Sequence, residues 1–322
     1  GLGWKILGDP DAEGNRPQIA FSFDGKPRFT LPAGSYLAEV KKGSASTTKQ
    51  VEVVAGELST DQLVLGSGIL VTQAIMSTGM PPHDSGGLGW KVLSEPDAEG
   101  NRKQVAFSFD NNPKLTVPAG TFRVEVKRGS AMATADVEVR PGEATEATLN
   151  LNASLLKPNA IMTEGADPVS GGGLAWKVLT EPDAEGNRRQ IAASFDDVPT
   201  LILPVGRYLT QVKRGQAMAE AEVDVVAGTL NTMTIDLNAG IFDLSVVDGS
   251  GTAITANTRW TILGPEDAEG RRQRIGYSFD AAPRFILPGG PVQIEVKVGD
   301  ETGTADATVT AGKLEKIAVQ LD

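Results

Sequence analysis

The chain has no cysteine and a single histidine, His83, in 322 residues. Disulfides, thiolate nucleophiles and thiolate metal sites are therefore excluded, and one imidazole by itself makes neither a metal cluster nor a catalytic triad. Aromatic residues are only 5% of the sequence, so little is left for a stacking platform once a core is built. Basic residues are the minority, 30 Lys and Arg against 41 Asp and Glu, and the net charge of −11 opposes non-specific binding to nucleic acid. No apolar run approaches the roughly 18 residues of a membrane-spanning helix, so no membrane span is expected.

Against these absences stands repetition. Trp4, Trp90, Trp176 and Trp260 recur at intervals of 86, 86 and 84 residues. Each is followed by an acidic loop such as "EPDAEGNR", a segment such as "QVAFSFD", a Pro-containing turn, a run such as "LTVPAGTFRVEVKRG", and a close such as "ADVEVRPGEATEATLNL". "FRVEVKRG", "ADVEVRPG" and "ATEATLNL" alternate apolar and polar residues between Gly and Pro turns, which predicts half-buried strands. With the apolar starts "ILVTQAI", "SLLKPNAIM" and "IFDLSVV", the pattern predicts about seven strands per repeat and no helix.

The fold class expected is all-β: a tandem array of about four antiparallel seven-stranded β-sandwich modules of Ig-like or prealbumin-like kind. The modules fall at residues 67–152, 153–238 and 239–322, with an incomplete one at 1–66 that lacks its first strand. Gly1 aligns with Gly87, so about twenty counterpart residues are missing ahead of it and an upstream segment is expected. Junctions such as "NLNASLL" and "DLNAGIF" are too short to behave as flexible coils, which predicts restricted hinges.

"WKVL", "EPDAEGNR", "FSFD", "LPAGSYLAEVKKG" and "VEVVAG" together resemble bacterial β-sandwich repeats of the carboxypeptidase-regulatory-like and PEGA-like type. More narrowly, they resemble the repeat tails of proteobacterial exported proteins that carry a von Willebrand factor A domain. The resemblance implies a periplasmic or cell-surface setting. It implies no activity, because the recurring residues are those of turns and core.

Candidate chemistry reduces to a few groups. Asp9, Asp11 and Glu13, with Glu95, Asp97, Glu99, Glu181, Asp183 and Glu185, mimic the opening of a calcium loop. The terminal bidentate Glu is absent: Ala20, Ala106 and Ala192 stand there. A tight acidic turn accounts for the same residues, so these are weak calcium candidates and no metal or cofactor is expected. "DGSGT" at Asp248–Thr252 resembles a metal-binding motif but equally suits a hairpin turn. The four tryptophans are expected in the core, with Phe23, Phe109, Phe195 and Phe279 packed beside them. His83, in "GMPPHDSGG", is expected to be a solvated loop residue and no catalytic base.

The acidic loops are expected to be one half of an inter-module joint. The basic turns Lys41-Lys42, Lys127-Arg128 and Lys213-Arg214 would approach the acids of the following module, the last of these being Glu266, Asp267 and Glu269. The functional expectation is a non-enzymatic spacer or assembly element outside the cytoplasm, its partners being protein: itself or an upstream domain. The alternatives are an adhesive or ligand-binding module for glycan, calcium or protein, and a subunit of a homopolymeric surface filament.

Overall fold

A computed structural model describes residues 1–255 and 258–321. The chain divides into two compact units, Gly1–Asn152 and Ala153–Asp322. All regular structure among the described residues is β.

In the first unit, residues 1–66 form β1 (Gly3–Leu7), β2 (Gln18–Ser22), β3 (Gly34–Lys42) and β4 (Ala45–Val53). Residues 67–152 form β5 (Ser67–Ile75), β6 (Gly89–Pro96), β7 (Arg102–Ser108) and β8 (Lys114–Pro118), then β9 (Gly120–Arg128), β10 (Ala131–Val139) and β11 (Ala144–Asn150). In the second unit, residues 153–238 form β12 (Ala153–Ile161), β13 (Leu174–Thr180), β14 (Gln190–Ser194) and β15 (Leu201–Pro204), then β16 (Gly206–Arg214), β17 (Ala217–Val225) and β18 (Leu230–Asp236). The last module has β19 (Ala239–Val247), a short β20 (Ala253–Ile254), β21 (Thr258–Glu266) and β22 (Arg272–Ser278), then β23 (Arg284–Pro288), β24 (Gly290–Val298), β25 (Glu301–Val309) and β26 (Leu314–Gln320).

Each module from the second onward is a sandwich of two sheets, one of four strands and a second of three strands in the two middle modules and four in the last. The orders are β10-β9-β6-β7 over β11-β5-β8, β14-β13-β16-β17 over β15-β12-β18, and β22-β21-β24-β25 over β19 with β20, β23 and β26. The first strand of the module is thus an inner strand of this second sheet. It runs antiparallel to β8, β15 or β23 and parallel to β11, β18 or β26. One parallel pairing per module is the departure from a purely antiparallel sandwich.

Period-two alternation decides what is inside. On β6 and β9 the residues Trp90, Val92, Phe122, Val124 and Val126 point inward and are buried, while Lys91 pairs with Glu125 on the outer face. Trp176 and Trp260 are buried in the same way. Trp4 is only half-buried, for a reason that follows from topology. Residues 1–66 form only the four-stranded sheet β2-β1-β3-β4. They contain no counterpart of β5, and the segments corresponding to β8 and β11, residues 28–32 and 58–64, have no strand pairing. Losing a middle strand unpairs both of its neighbours.

The joints inside each unit are made largely of backbone. Gly66 and Asn238, the last residues before β5 and β19, have φ of 54° and 43°. Their carbonyls accept the N–H of Ala119 and Gly289, at 2.8 and 2.7 Å. The tight turn after β3 reaches the next module at β8, where Ser44 N–H donates to the Thr116 carbonyl at 3.1 Å. The turn after β16 does the same at β23, with Gln216 N–H donating to Ile286 O at 2.8 Å. Ile286 and Ala239 also pack against the buried cluster around Trp176, so the hydrophobic core continues across this joint.

Candidate interaction surface

The recurring residues fall into those that hold the fold and those left over. In every copy the Trp indole N–H donates to a carbonyl twenty residues on, that of Asp24, Asp110, Asp196 or Asp280, at 3.0 Å. The Ser of "FSFD" or its counterpart closes the same corner. Ser22 Oγ donates to Asp24 Oδ2 at 3.0 Å and accepts from Asp24 N–H at 3.1 Å, and the other three copies repeat this. Trp, Ser and Asp are therefore structural.

The phenylalanines are not. Strand register pairs Trp4 with Ser22 and Lys5 with Phe21, so the Phe side chains share the solvent face with Lys5. Phe23, Phe109, Phe195 and Phe279 are 75%, 75%, 79% and 69% exposed. This corrects the expectation that they pack beside the tryptophans: alternation within "FSFD" sends Ser inward and both aromatics out. Phe21–Phe23, Phe107–Phe109 and Tyr277–Phe279 form edge-on pairs with centroids 6.0, 6.1 and 6.2 Å apart. In the third module Ala193 takes the place of the first aromatic and Phe195 stands alone. An open cleft of about 510 Å³ lies beside Phe21 and Phe23, bounded by Gly3, Lys5, Glu39 and Lys41. A smaller one, about 330 Å³, lies beside Phe109, Gly89 and Lys127. An apolar aromatic ledge flanked by lysine is a surface for contact.

The acidic loop is a self-closed turn. Asp11 Oδ1 accepts the N–H of Glu13 and Asn15 at 3.0 and 2.7 Å, and Asp183 and Asp267 repeat both bonds; Asp97 Oδ1 accepts from Asn101 N–H at 2.7 Å. The following Arg folds back onto the strand before the loop, as Arg16 does to the Gly8 carbonyl at 2.8 Å and Arg102 to Ser94 O at 2.8 Å. The middle carboxylate of each candidate calcium set thus caps backbone N–H groups. Among the described residues no group of three His, Asp or Glu is arranged to hold a metal ion. "DGSGT" uses the same device, with Asp248 Oδ1 accepting from Ser250 and Thr252, chiefly the Ser250 hydroxyl, which lowers the Asp248 pKa.

The charges assigned to the joints are engaged nearer home. Glu266 pairs with Arg272 at 3.3 Å, and Asp267 and Glu269 pair with Arg271 at 3.2 and 3.1 Å, all within the β21–β22 hairpin. Arg214 reaches Met162 of its own module. Arg128 donates to the Gly86 carbonyl at 3.0 Å and lies 3.4 Å from His83 Nδ1. His83 is half-buried rather than solvated, and burial first, then the Arg128 charge, lowers its pKa. The residues just after the basic turns, Ser44 and Gln216, are the ones that meet the backbone of β8 and β23.

No family model matches the chain, and no curated protein matches it. Among solved structures, the TIE protein of Bacillus anthracis is 14% identical over 100% of this chain and 68% of its own, with a TM-score of 0.23. The minor pilin GBS52 of Streptococcus agalactiae is 12% identical over 52% of this chain and 95% of its own, at 0.30. The shaft pilin SpaA of Lactobacillus rhamnosus GG is 11% identical over 53% and 98%, at 0.26. At these scores the likeness carries no inference about activity or partner.

Proposed function

We propose that the chain is a non-enzymatic structural repeat array, a spacer or assembly element working outside the cytoplasm. What carries this reading is the joint. Ser44–Thr116 in one unit and Gln216–Ile286 in the other tie the module's last-but-one turn to a strand of its successor, leaving no free linker between them. The extracytoplasmic setting is supported by the resemblance to repeat tails of exported von Willebrand factor A proteins. The lysines of the basic turns, Lys41, Lys42, Lys127 and Lys213, would steer the approach of modules before the joint closes, a long-range effect that salt screens.

Force spectroscopy of the tethered chain tests the mechanical role. Full repeats of 84 to 86 residues predict a sawtooth with contour increments of about 280–310 Å, and a shorter one of about 220–240 Å for residues 1–66, at roughly 3.3–3.6 Å per residue. Featureless extension, or one step for the whole chain, contradicts it. A second reading, an adhesive or ligand-binding array, is favoured by one observation: an exposed Phe recurs in each copy, and is one of an exposed aromatic pair in three of the four.

A further inference from the structure

The single histidine stands where the third module has an apolar residue. Segments 77–87 and 163–173 connect the first strand of the second and third modules to the Trp strand, and both are tied down in the same way. His83 N–H donates to the Ala74 carbonyl and Val169 N–H to that of Ala160, each at 2.7 Å, beside the bridges Ile75–Pro82 and Ile161–Pro168. Gly86 N–H donates to Asn111 Oδ1 and Gly172 N–H to Asp197 Oδ1, each at 3.0 Å. An Arg at the end of β9 or β16 lies against each segment, Arg128 reaching Met76 and Arg214 reaching Met162. The side chain after the Pro sets the copies apart: Val169 is buried, whereas His83 is half-buried with its ring against the Arg.

The neighbours of His83 decide which ring nitrogen carries the hydrogen. Nδ1 lies 3.4 Å from Arg128 Nη1, and a guanidinium offers only donors, so Nδ1 accepts and is bare. Nε2 lies 3.3 Å from the Gly86 carbonyl and 3.2 Å from Ser85 Oγ; a carbonyl only accepts, so Nε2 is the N–H. The same carbonyl accepts Arg128 Nε–H at 3.0 Å. Neutral His83 thus closes a ring of contacts from Arg128 to Gly86 to His83 and back to Arg128. A second proton has only Nδ1 to occupy, where it would point at a cation and remove that cation's acceptor. Burial first, then Arg128 on β9, opposes the imidazolium, and Asp84 in the segment itself favours it. The other groups packed here, Met76 after β5 and Asn111 after β7, are neutral.

We propose that His83 makes segment 77–87 an acid-sensitive clasp: the neutral ring holds the segment against the end of β9, and protonation releases it. Segment 163–173, with Val169 in the same place, does not respond. A ring kept neutral in the closed form takes its proton more readily in the open form. The clasp therefore has its full strength above about pH 6.5. Below that, opening becomes easier by up to about tenfold per pH unit, until the closed form is protonated as well. Opening frees the Arg128 guanidinium beside the exposed Lys127.

With one histidine in the chain, nitrogen NMR of the full protein reads its ring without ambiguity. The Nε2–H tautomer is expected at about pH 7.5; the Nδ1–H tautomer would overturn the proposal. Hydrogen exchange, expressed as protection factors, reads the clasp itself. Between about pH 7.5 and about pH 5 the His83 and Gly86 amides are expected to lose roughly tenfold or more in protection, while those of Val169 and Gly172 change less than about twofold. His83→Val, which copies the third module, and His83→Gln, which keeps a polar side chain, are both expected to remove the response. Equal loss in 77–87 and 163–173, no loss in either, or a response that survives both substitutions would overturn the proposal.

Discussion

Gly43, Gly215 and Gly299 occupy the same turn in the first, third and fourth modules, with φ of 58°, 58° and 61°. Substitution by Ala imposes the same left-handed strain on each, about 1–2 kcal/mol. What differs is the surroundings. A Cβ on Gly215 would sit 2.8 Å from Ile286 Cβ and 2.9 Å from its carbonyl oxygen, and one on Gly43 would meet the Thr116 carbonyl, whereas one on Gly299 meets open space. Overpacking of that kind costs about 1–3 kcal/mol more. Gly299→Ala is thus an internal control for the backbone term. Several modules do not unfold as one two-state transition, so hydrogen exchange is the better assay. In Gly215→Ala the Gln216 amide and residues 284–288 are expected to exchange roughly 5- to 150-fold faster than in the parent. Gly299→Ala should leave those amides untouched. Equal acceleration by both substitutions would refute the assignment of this turn as a joint.

Truncation of Trp90, Trp176 or Trp260 to Ala is expected to destabilise its module by about 3–5 kcal/mol, and that of Trp4 by distinctly less, as urea unfolding of each variant followed by module-resolved exchange will show. His83, whose pKa is lowered on folding, binds more protons unfolded than folded below its ordinary value of 6.5. Its contribution to the second module is therefore present above about pH 6.5 and declines as pH falls through and below it; His83→Gln should flatten that part of the stability profile. Phe107→Ser with Phe109→Ser is expected to leave stability within about ±0.5 kcal/mol, as exposed substitutions do, while lowering any self-association or glycan binding measured by sedimentation or array. A loss of several kcal/mol would return these rings to the core.

The strands and the burial of Trp90, Trp176 and Trp260 were legible because 86-residue spacing and period-two alternation are local signals. Register was not. Whether Phe21 and Phe23 face in or out depends on Trp4 pairing with Ser22, a contact eighteen residues away, and composition favoured the core. The acidic loop was legible as a turn through Pro10, Asp11 and Gly14, whereas the capping of its own backbone by Asp11 was not. The same holds for Arg128 and Arg214, whose partners lie about fifty residues earlier in sequence: Met76 and Met162. Charge complementarity between loops is easy to see in a sequence, whereas backbone pairing such as Gln216 to Ile286 leaves no mark on residue type.

The absence of cysteine allows a clean pair of spin labels within the second unit, at Lys177→Cys on β13 and Lys297→Cys on β24, both exposed positions. Pulsed dipolar spectroscopy on that pair tests most directly whether adjacent modules are held in fixed relation. A single narrow distance distribution, unchanged by 1 M salt because the joint is backbone-paired and apolar, is the predicted result, taking ~3 Å as the screening length there. A broad distribution, or one that broadens with salt, would mean that the modules hinge freely or are oriented by charge, and would contradict the spacer.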